Sequence, residues 1–123
     1  MNQAVRGRLA EAFEVVAAHD LAVAQAAIES ENDPLDRLSA FIDSYGRADE
    51  HWAFQLWLDA WAEAARRPAL QATSRRLNVA WQQLLATVIA GGVAGDRWAC
   101  PDVDATAWRV LSLLDGLALQ SVA

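Results

Sequence analysis

Apolar residues recur at spacings of three and four along most of the chain, which is the pattern of α-helices that bury one face. Alternation at every second position, which is typical of half-buried strands, is scarce. Proline, glycine and short polar stretches divide the helical pattern into about five segments. The sequence therefore predicts an all-α fold, an antiparallel bundle of about five helices.

Local signals predict where these helices begin and end. Asp33 and Pro34 are a typical N-cap and first-turn pair for the second helix. Pro68 suits the first turn of the fourth helix, and the third helix should end just ahead of it, because the residue before a proline disfavours helix. Gly91 and Gly92 should end the fourth helix, since glycine is common just past helix ends. The predicted helices cover residues 2–30, 34–45, 51–67, 68–90 and 104–122.

The third predicted helix is unusually rich in aromatic residues. It follows an expected helix end at Gly46 and a polar turn at 47–50, and it carries Trp52, Trp57 and Trp61. Its polar stripe consists of Gln55, Asp59, Glu63 and Arg66. Indole rings are large and each keeps one N–H donor, so a cluster of them can fill a tight core or line a cavity for a flat apolar ligand. Both interpretations stay open at this stage.

Composition limits the classes of protein that fit. The chain has 123 residues, 54% of them apolar and 21% charged, which suits one globular domain. It has no run of about eighteen uncharged apolar residues, and its N-terminus lacks the apolar segment of a signal peptide, so we expect no membrane contact and a cytoplasmic location. A net charge of −6 without any lysine makes the chain a poor binder of nucleic-acid phosphates by itself.

Catalytic chemistry has little support in the sequence. His19 and His51 lie in no metal-binding spacing and no nucleophile motif. Asp59 and Glu63 stand four residues apart on the polar stripe, which indicates a solvated face rather than a pair of catalytic carboxylates. Cys100 is the lone cysteine and is interpreted as an inert loop thiol. We therefore expect a protein that is not an enzyme, with no catalytic residue, no metal and no cofactor.

Asp20 is the one charged residue in an apolar seam of the first helix. That seam comprises positions 9, 13, 16, 20, 23 and 27. The default interpretation is that the helix bends or ends near Asp20, which leaves the carboxylate in solvent or in a capping position. The second interpretation is a polar contact inside an apolar cavity, where a carboxylate beside indole rings favours a cationic or hydrogen-bond-donating ligand.

The last predicted helix is apolar almost all round, and a single small domain rarely covers such a helix. Gly116 lies in its interior beside Asp115, where glycine costs about 1 kcal/mol relative to alanine. One interpretation is a mild local defect. The other, which the apolar helix favours, is a close crossing with a second copy of the chain, so we expect a homodimer.

Four segments, taken in order, resemble one known family. They are DPLDRLSAFID at 33–43, WAFQLWLDAWAEAARRPAL at 52–70, the segment at 76–95 that contains WQQLLATVIAGGVAG, and ATAWRVLSLLDGLALQ at 105–120. Each is largely a pattern of Leu, Ala and Trp, and their order adds specificity, with Arg-Pro after the tryptophan helix and Leu-Asp-Gly-Leu near the end. The chain thereby resembles the C-terminal regulatory domain of TetR-type transcriptional regulators, in particular the subgroup with a betaine-repressor-like C-terminal domain.

The resemblance implies an effector pocket inside the bundle and a four-helix interface, formed by the last two helices with those of a second copy. It also implies allostery, in which a small apolar or aromatic effector binds one arrangement of the bundle better and shifts the dimer. In the family a helix-turn-helix module precedes the first helix seen here. This first helix pivots and thereby transmits the effector-induced change to that module. We expect the intact regulator to be a repressor that binds DNA only through such a module. We expect this module to be absent from the chain. A truncated sequence and a natural stand-alone domain both stay open.

Apolar periodicity supplies the candidate residues. The ligand-binding candidates are Phe13, Val16, Asp20, Phe41, Tyr45, Trp57 and Trp61. The dimer-interface candidates are Trp81, Leu85, Val88, Trp108, Leu111, Leu114, Gly116 and Ala118. The alternative function is a stand-alone helical dimerisation module without a ligand pocket, which could pair with a full-length regulator.

Overall fold

The computed structural model describes residues 3–45 and 51–122. Within these ranges the chain forms helices and no strand, so the all-α prediction is confirmed. The helices are α1 (Gln3–Glu29), α2 (Pro34–Tyr45), α3 (His51–Ala64), α4 (Pro68–Ala94) and α5 (Val103–Val122). The predicted helix end at Gly46, the turn at 47–50 and the side chains of Leu9, His51, Trp52, Phe54 and Leu56 lie outside the described part of the molecule.

α4 is the central helix of the bundle. It packs against α1, α2, α3 and α5, whereas α5 packs mainly on α4. The short connections at 30–33 and 65–67 turn the chain back on itself, as in other helical bundles. The buried residues of α4 are Leu70, Ser74, Leu77, Trp81, Gln82, Leu85, Val88, Ile89 and Gly92. The core therefore forms around α4, and together with Leu85 the largest fully buried side chains are Phe13 of α1 and Phe41 of α2.

The start of α2 follows the sequence-based prediction. Asp33 Oδ2 accepts hydrogen bonds from the backbone N–H groups of Leu35, at 3.0 Å, and Asp36, at 3.3 Å. These are two of the N–H groups that a helix start leaves without a partner inside the helix. The predicted N-cap at Asp33 is confirmed. Its other carboxylate oxygen, Oδ1, pairs with the Arg97 guanidinium, so this cap also joins α2 to the loop between α4 and α5.

The end of α3 lies three residues earlier than the sequence predicts, at Ala64 instead of Arg67. The N–H groups of Arg66 and Arg67 donate to the carbonyls of Glu63 and Ala64, three residues back, so the last turn tightens. Arg67 itself is extended, with φ −135° and ψ 107°. Pro68 accounts for the extended Arg67, because a proline disfavours helix at the residue before it.

α4 passes through Gly91 and Gly92 and ends at Ala94, so the prediction that the two glycines end this helix is wrong. The reason is the loop that follows. The Trp98 indole packs so closely on Gly92 that a Cβ atom there would overlap the ring, and Trp98 Nε1 donates to the carbonyl of Ile89 at 2.9 Å. Asp96 (φ 55°) supplies the left-handed residue just past the helix. Gly92 therefore serves ring packing, and the helix ends two residues later, at Ala94.

α4 is also the one candidate membrane span in the described residues, by length and composition alone. Residues 77–95 carry no charge, although Asn, Gln and Thr interrupt the apolar run. The core helix of a soluble protein passes the same test, and 39% of the candidate window is buried inside the bundle. The central position of α4 accounts for its apolar sequence.

Candidate ligand-binding site

The buried face of α1 differs from the predicted seam. Its buried residues in the described range are Phe13, Ala17, Ala24 and Ile28. Val16 and Asp20, both ligand-binding candidates, are half-buried at the edge of this face. α1 continues to Glu29, so the interpretation that the helix ends near Asp20 is wrong. Asp20 flanks the apolar face and does not interrupt it.

Phe13, Trp57 and Trp61 form one cluster of rings, the α1–α3 ring group. The centroids of Phe13 and Trp57 are 4.9 Å apart and those of Trp57 and Trp61 are 5.6 Å apart, both edge to face. This geometry is favourable for aromatic pairs. Phe13 is fully buried and Trp61 is half-buried. The structure thus brings three of the ligand-binding candidates into direct contact.

Phe41, Tyr45 and Trp81 form a second cluster, the α2–α4 ring group. Phe41 and Tyr45 are stacked with centroids 5.9 Å apart, and the Trp81 ring meets each of them edge to face, at 5.8 Å and 5.1 Å. Trp81 was predicted at the dimer interface from sequence. Its exposed fraction is only 3%, so in this chain its contacts are with α2.

A polar pair lies at the edge of the α2–α4 ring group. The Tyr45 hydroxyl donates a hydrogen bond to Asp115 Oδ1, which joins the end of α2 to α5. Burial raises the pKa of the Asp115 carboxyl above its usual range, while the hydrogen bond from Tyr45 lowers it in part. Burial and the neighbouring Asp115 charge hold the pKa of Tyr45 far above its ordinary value.

Sequence reasoning missed the role of Asp115, which it treated only as the neighbour of Gly116. The signal was present, since Asp115 is an acidic residue inside the apolar run LLDGL of the last helix. The same reasoning was applied to Asp20 in the first helix. The partner of Asp115 lies 70 residues away in the chain, so the pairing itself could not be predicted from local pattern.

One hydrogen-bond donor in the α2–α4 ring group is unused. Trp81 Nε1 is buried and has no hydrogen-bond partner among the described residues. A nearby polar group of α4 is satisfied, because Gln82 Nε2 donates to the backbone oxygen of Asp104 at 3.2 Å. Most buried polar groups in proteins are paired in this way, so the state of Trp81 is unusual.

These groups suit recognition of a flat apolar molecule better than they suit catalysis. Rings supply apolar surface, and a few polar groups fix the orientation of a ligand. No group of three or more His, Cys, Asp or Glu residues able to hold a metal ion occurs in the searched part, residues 3–45 and 51–122. Cys100 is half-buried, and its Sγ lies 3.3 Å from Thr106 Oγ1.

The dimer-interface candidates fall into two sets. Trp81, Leu85, Val88 and Leu111 are buried in the core of the single chain, with exposed fractions of 5% or less. Such side chains have almost no surface left for a second copy. Trp108 and Gly116 are exposed, and Leu114 and Ala118 are half-buried.

α5 exposes apolar side chains that the candidate set left out. Leu113 and Leu117, four residues apart and so on one side of the helix, are 63% and 55% exposed and form what we call the apolar α5 face. Trp108 and Leu119, at 43% and 50%, are exposed elsewhere on the same helix. A Cβ atom on Gly116 would meet nothing within 4 Å, so no helix crossing inside the chain requires this glycine. The expected excess of apolar surface on the last helix is therefore present.

Residues 34–123 match the sequence model of the C-terminal domain of BetI-type transcriptional repressors. The chain belongs to this family. The resemblance inferred from the four sequence segments is thus confirmed, and the family is one of regulatory domains of transcriptional regulators. No curated protein and no solved structure matches the chain. The matched residues include the α2–α4 ring group and the apolar α5 face, whereas Phe13 and the rest of α1 precede them.

Proposed function

We propose that this chain is a single regulatory domain, the effector-sensing and dimerisation domain of a TetR-type repressor. The observation that carries the proposal is the convergence of aromatic rings on a polar pair, Tyr45 and Asp115, that is bonded directly to α5. In the intact regulator the bound effector would control DNA binding through a helix-turn-helix module. Membership of the BetI-type family supports this assignment.

The effector is a small apolar or aromatic molecule that binds against the two ring groups. Tyr45 and Trp61 are half-buried and keep ring surface toward solvent, whereas Phe13, Phe41 and Trp57 are buried behind such rings and would contact the effector only after the rings around them shift. Val16 and Asp20 lie at the edge of the same face of α1 as Phe13. Flat apolar ligands gain most of their binding free energy from such surface. Saturable quenching of tryptophan fluorescence by members of a panel of aromatic and cationic compounds would support this part of the proposal.

The homodimer forms through the apolar α5 face. Its large side chains are exposed in the single chain, and burying such a patch against its own copy is the usual basis of a two-fold interface. Gly116 and Ala118 lie on the same helix as these side chains, and the open space at Gly116 permits a close approach of a second helix. Leu114 contributes its remaining exposed surface.

The Tyr45–Asp115 hydrogen bond connects effector binding with dimer formation. α5 packs mainly on α4, and its bond to Tyr45 ties it to the ring group of α2 as well. A ligand that displaces the Tyr45 ring therefore changes the position of α5 and the geometry of the apolar α5 face. α1 is coupled in the same way, because Phe13 packs on Trp57 and Glu14 pairs with Arg76 of α4 at 2.6 Å.

Sedimentation equilibrium of two charge-introducing variants tests the dimer. Leu117→Lys places a charge on the apolar α5 face, whereas the control Val15→Lys places one on α1, at a side chain that is 69% exposed. We expect the unaltered chain and Val15→Lys to be dimers and Leu117→Lys to be a monomer with the same helix content. A monomeric unaltered chain, or a dimer that survives Leu117→Lys, would contradict the proposal.

A second candidate function is favoured by the exposed α5 face alone. A stand-alone dimerisation module, able to pair with a full-length regulator, needs this face and no ligand pocket. A dimer whose fluorescence responds to no compound in the panel would favour this module over the sensing domain.

A further inference from the structure

The buried indole N–H of Trp81 requires an explanation. The residue is 3% exposed, and Nε1 meets no acceptor among the residues that the structure describes. A buried donor without an acceptor loses its hydrogen bonds to water and gains nothing in return, which is why such donors are rare. An acceptor that arrives from outside the chain would remove this cost.

Trp98 is a tryptophan of the same chain whose ring serves packing and whose indole N–H has a hydrogen-bond acceptor. Trp98 Nε1 donates to the carbonyl of Ile89 at 2.9 Å, so its ring is both packed on Gly92 and satisfied. Trp81 sits on the same helix as Ile89 and receives no such partner. The difference sets Trp81 apart from the structural tryptophan of the loop.

The other polar groups near Trp81 are engaged with each other. The Tyr45 ring packs against Trp81 at 5.1 Å, but its hydroxyl donates to Asp115 Oδ1. Tyr45 and Asp115 are both half-buried, so this side of the ring group reaches solvent. The ring group therefore combines two packed rings, a carboxyl group and one unused donor.

These features define the chemistry of a ligand. The unused donor selects a molecule with a hydrogen-bond acceptor, and the rings select one that is flat and apolar. The Asp115 carboxylate and the net charge of −6 repel an anion, which removes carboxylates and phosphates from the possible acceptors. A carbonyl oxygen on a neutral aromatic molecule meets all three conditions.

We propose that the α2–α4 ring group binds a neutral aromatic carbonyl compound whose oxygen accepts the hydrogen bond from Trp81 Nε1. This inference rests on the proposed sensing function and adds the polar group that the effector must carry. It assigns Trp81 to ligand recognition and not to the dimer interface.

Two probes of nearly equal shape test the inference on the unaltered chain. 2-Acetylnaphthalene carries the carbonyl oxygen, whereas 2-isopropylnaphthalene has the same ring system and no acceptor. We expect the ketone to bind about tenfold more tightly, as measured by isothermal titration calorimetry, because satisfying a buried donor is worth roughly one factor of ten. In a ¹⁵N-labelled chain, which has six tryptophans, the ketone should move the Trp81 indole signal downfield and the hydrocarbon should not.

A matched pair of variants separates the hydrogen bond from ring packing. Trp81→Phe keeps a smaller aromatic ring and removes the N–H, so the ratio of the affinities for the ketone and the hydrocarbon, which reports the hydrogen bond alone, should fall to about one. Trp98→Phe removes an N–H that already has an internal acceptor and should retain the preference. Disappearance of one signal in Trp81→Phe also assigns the Trp81 resonance.

The outcomes distinguish this inference from the function on which it rests. Equal affinities of the unaltered chain for the two probes, or a Trp81 signal that the ketone leaves in place, would overturn the inference while the sensing function stands. If neither probe binds, the inference fails and the proposed binding of aromatic effectors fails with it.

Discussion

Replacing Tyr45 by phenylalanine tests whether α2 holds α5 through a single hydrogen bond. The substitution keeps a ring in the α2–α4 ring group and removes only the hydroxyl that donates to Asp115. Asp115 then remains as a half-buried carboxylate without that donor. A hydrogen bond to a charged group is worth about 1.5–3 kcal/mol, and water replaces part of it at a half-exposed site. We therefore expect Tyr45→Phe to lower the free energy of unfolding by about 1–2 kcal/mol at pH 7.

The cost of Tyr45→Phe should depend on pH in a defined direction. Burial raises the native-state pKa of Asp115 above its ordinary value of 3.8, so the carboxyl group destabilises the native state as pH rises through and above that value. Loss of the Tyr45 hydroxyl raises this pKa further and enlarges the destabilisation at neutral pH. Near pH 3 the carboxyl is neutral in both states, and the expected cost falls to about 0.5–1 kcal/mol, that of a neutral hydrogen bond.

Urea unfolding followed by far-UV circular dichroism, at pH 7 and about pH 3, measures both costs. The chain concentration must be fixed, because a dimer changes its apparent stability with concentration. In an Asp115→Asn background, which has no titrating group at this site, Tyr45→Phe should cost the same at both pH values. A cost below about 0.5 kcal/mol at pH 7, or a cost that does not fall in acid, would refute the reasoning.

Two further predictions concern packing and use urea unfolding at pH 7. Gly92→Ala should destabilise the fold by about 1–3 kcal/mol, because the new Cβ overlaps the Trp98 ring, whereas Gly91→Ala, with open space around it, should stabilise α4 by about 0.5–1 kcal/mol. Equal effects at the two glycines would show that Trp98 does not pack as described. Phe41→Ala should cost about 3–5 kcal/mol, because the ring is fully buried, whereas Ile42→Ala, at a side chain 38% exposed, should cost under about 1 kcal/mol. A small loss of unfolding free energy in Phe41→Ala would contradict the position of Phe41 in the core.

Helix type and most helix ends were predictable because their causes are local. Asp33 caps α2 through hydrogen bonds to residues two and three positions on, which sequence spacing reveals. The end of α4 was not predictable in the same way. A glycine can end a helix, or it can leave room for a neighbouring group that packs closely on the helix. At Gly92 the second applies, because the ring of Trp98, a residue beyond the helix, packs against it.

The candidate site was predicted in part for a related reason. Periodicity identifies which residues share an apolar face, but it does not identify what covers that face. Leu85 and Trp108 both lie on apolar faces, yet Leu85 is fully buried by the chain's own helices and Trp108 is 43% exposed. Tyr45 was among the candidates, whereas its bond to Asp115 depends on how α2 and α5 meet across the bundle.

The dimer dissociation constant, measured by sedimentation equilibrium with and without a compound that quenches tryptophan fluorescence saturably, tests the central claim most directly. An effector that acts through the Tyr45–Asp115 bond must bind one arrangement of the dimer better, and such couplings amount to about 1–3 kcal/mol. The account predicts that a saturating compound changes the dimer dissociation constant by about 5- to 150-fold in the unaltered chain and by less in Tyr45→Phe. A compound that binds saturably and leaves this constant unchanged would contradict it.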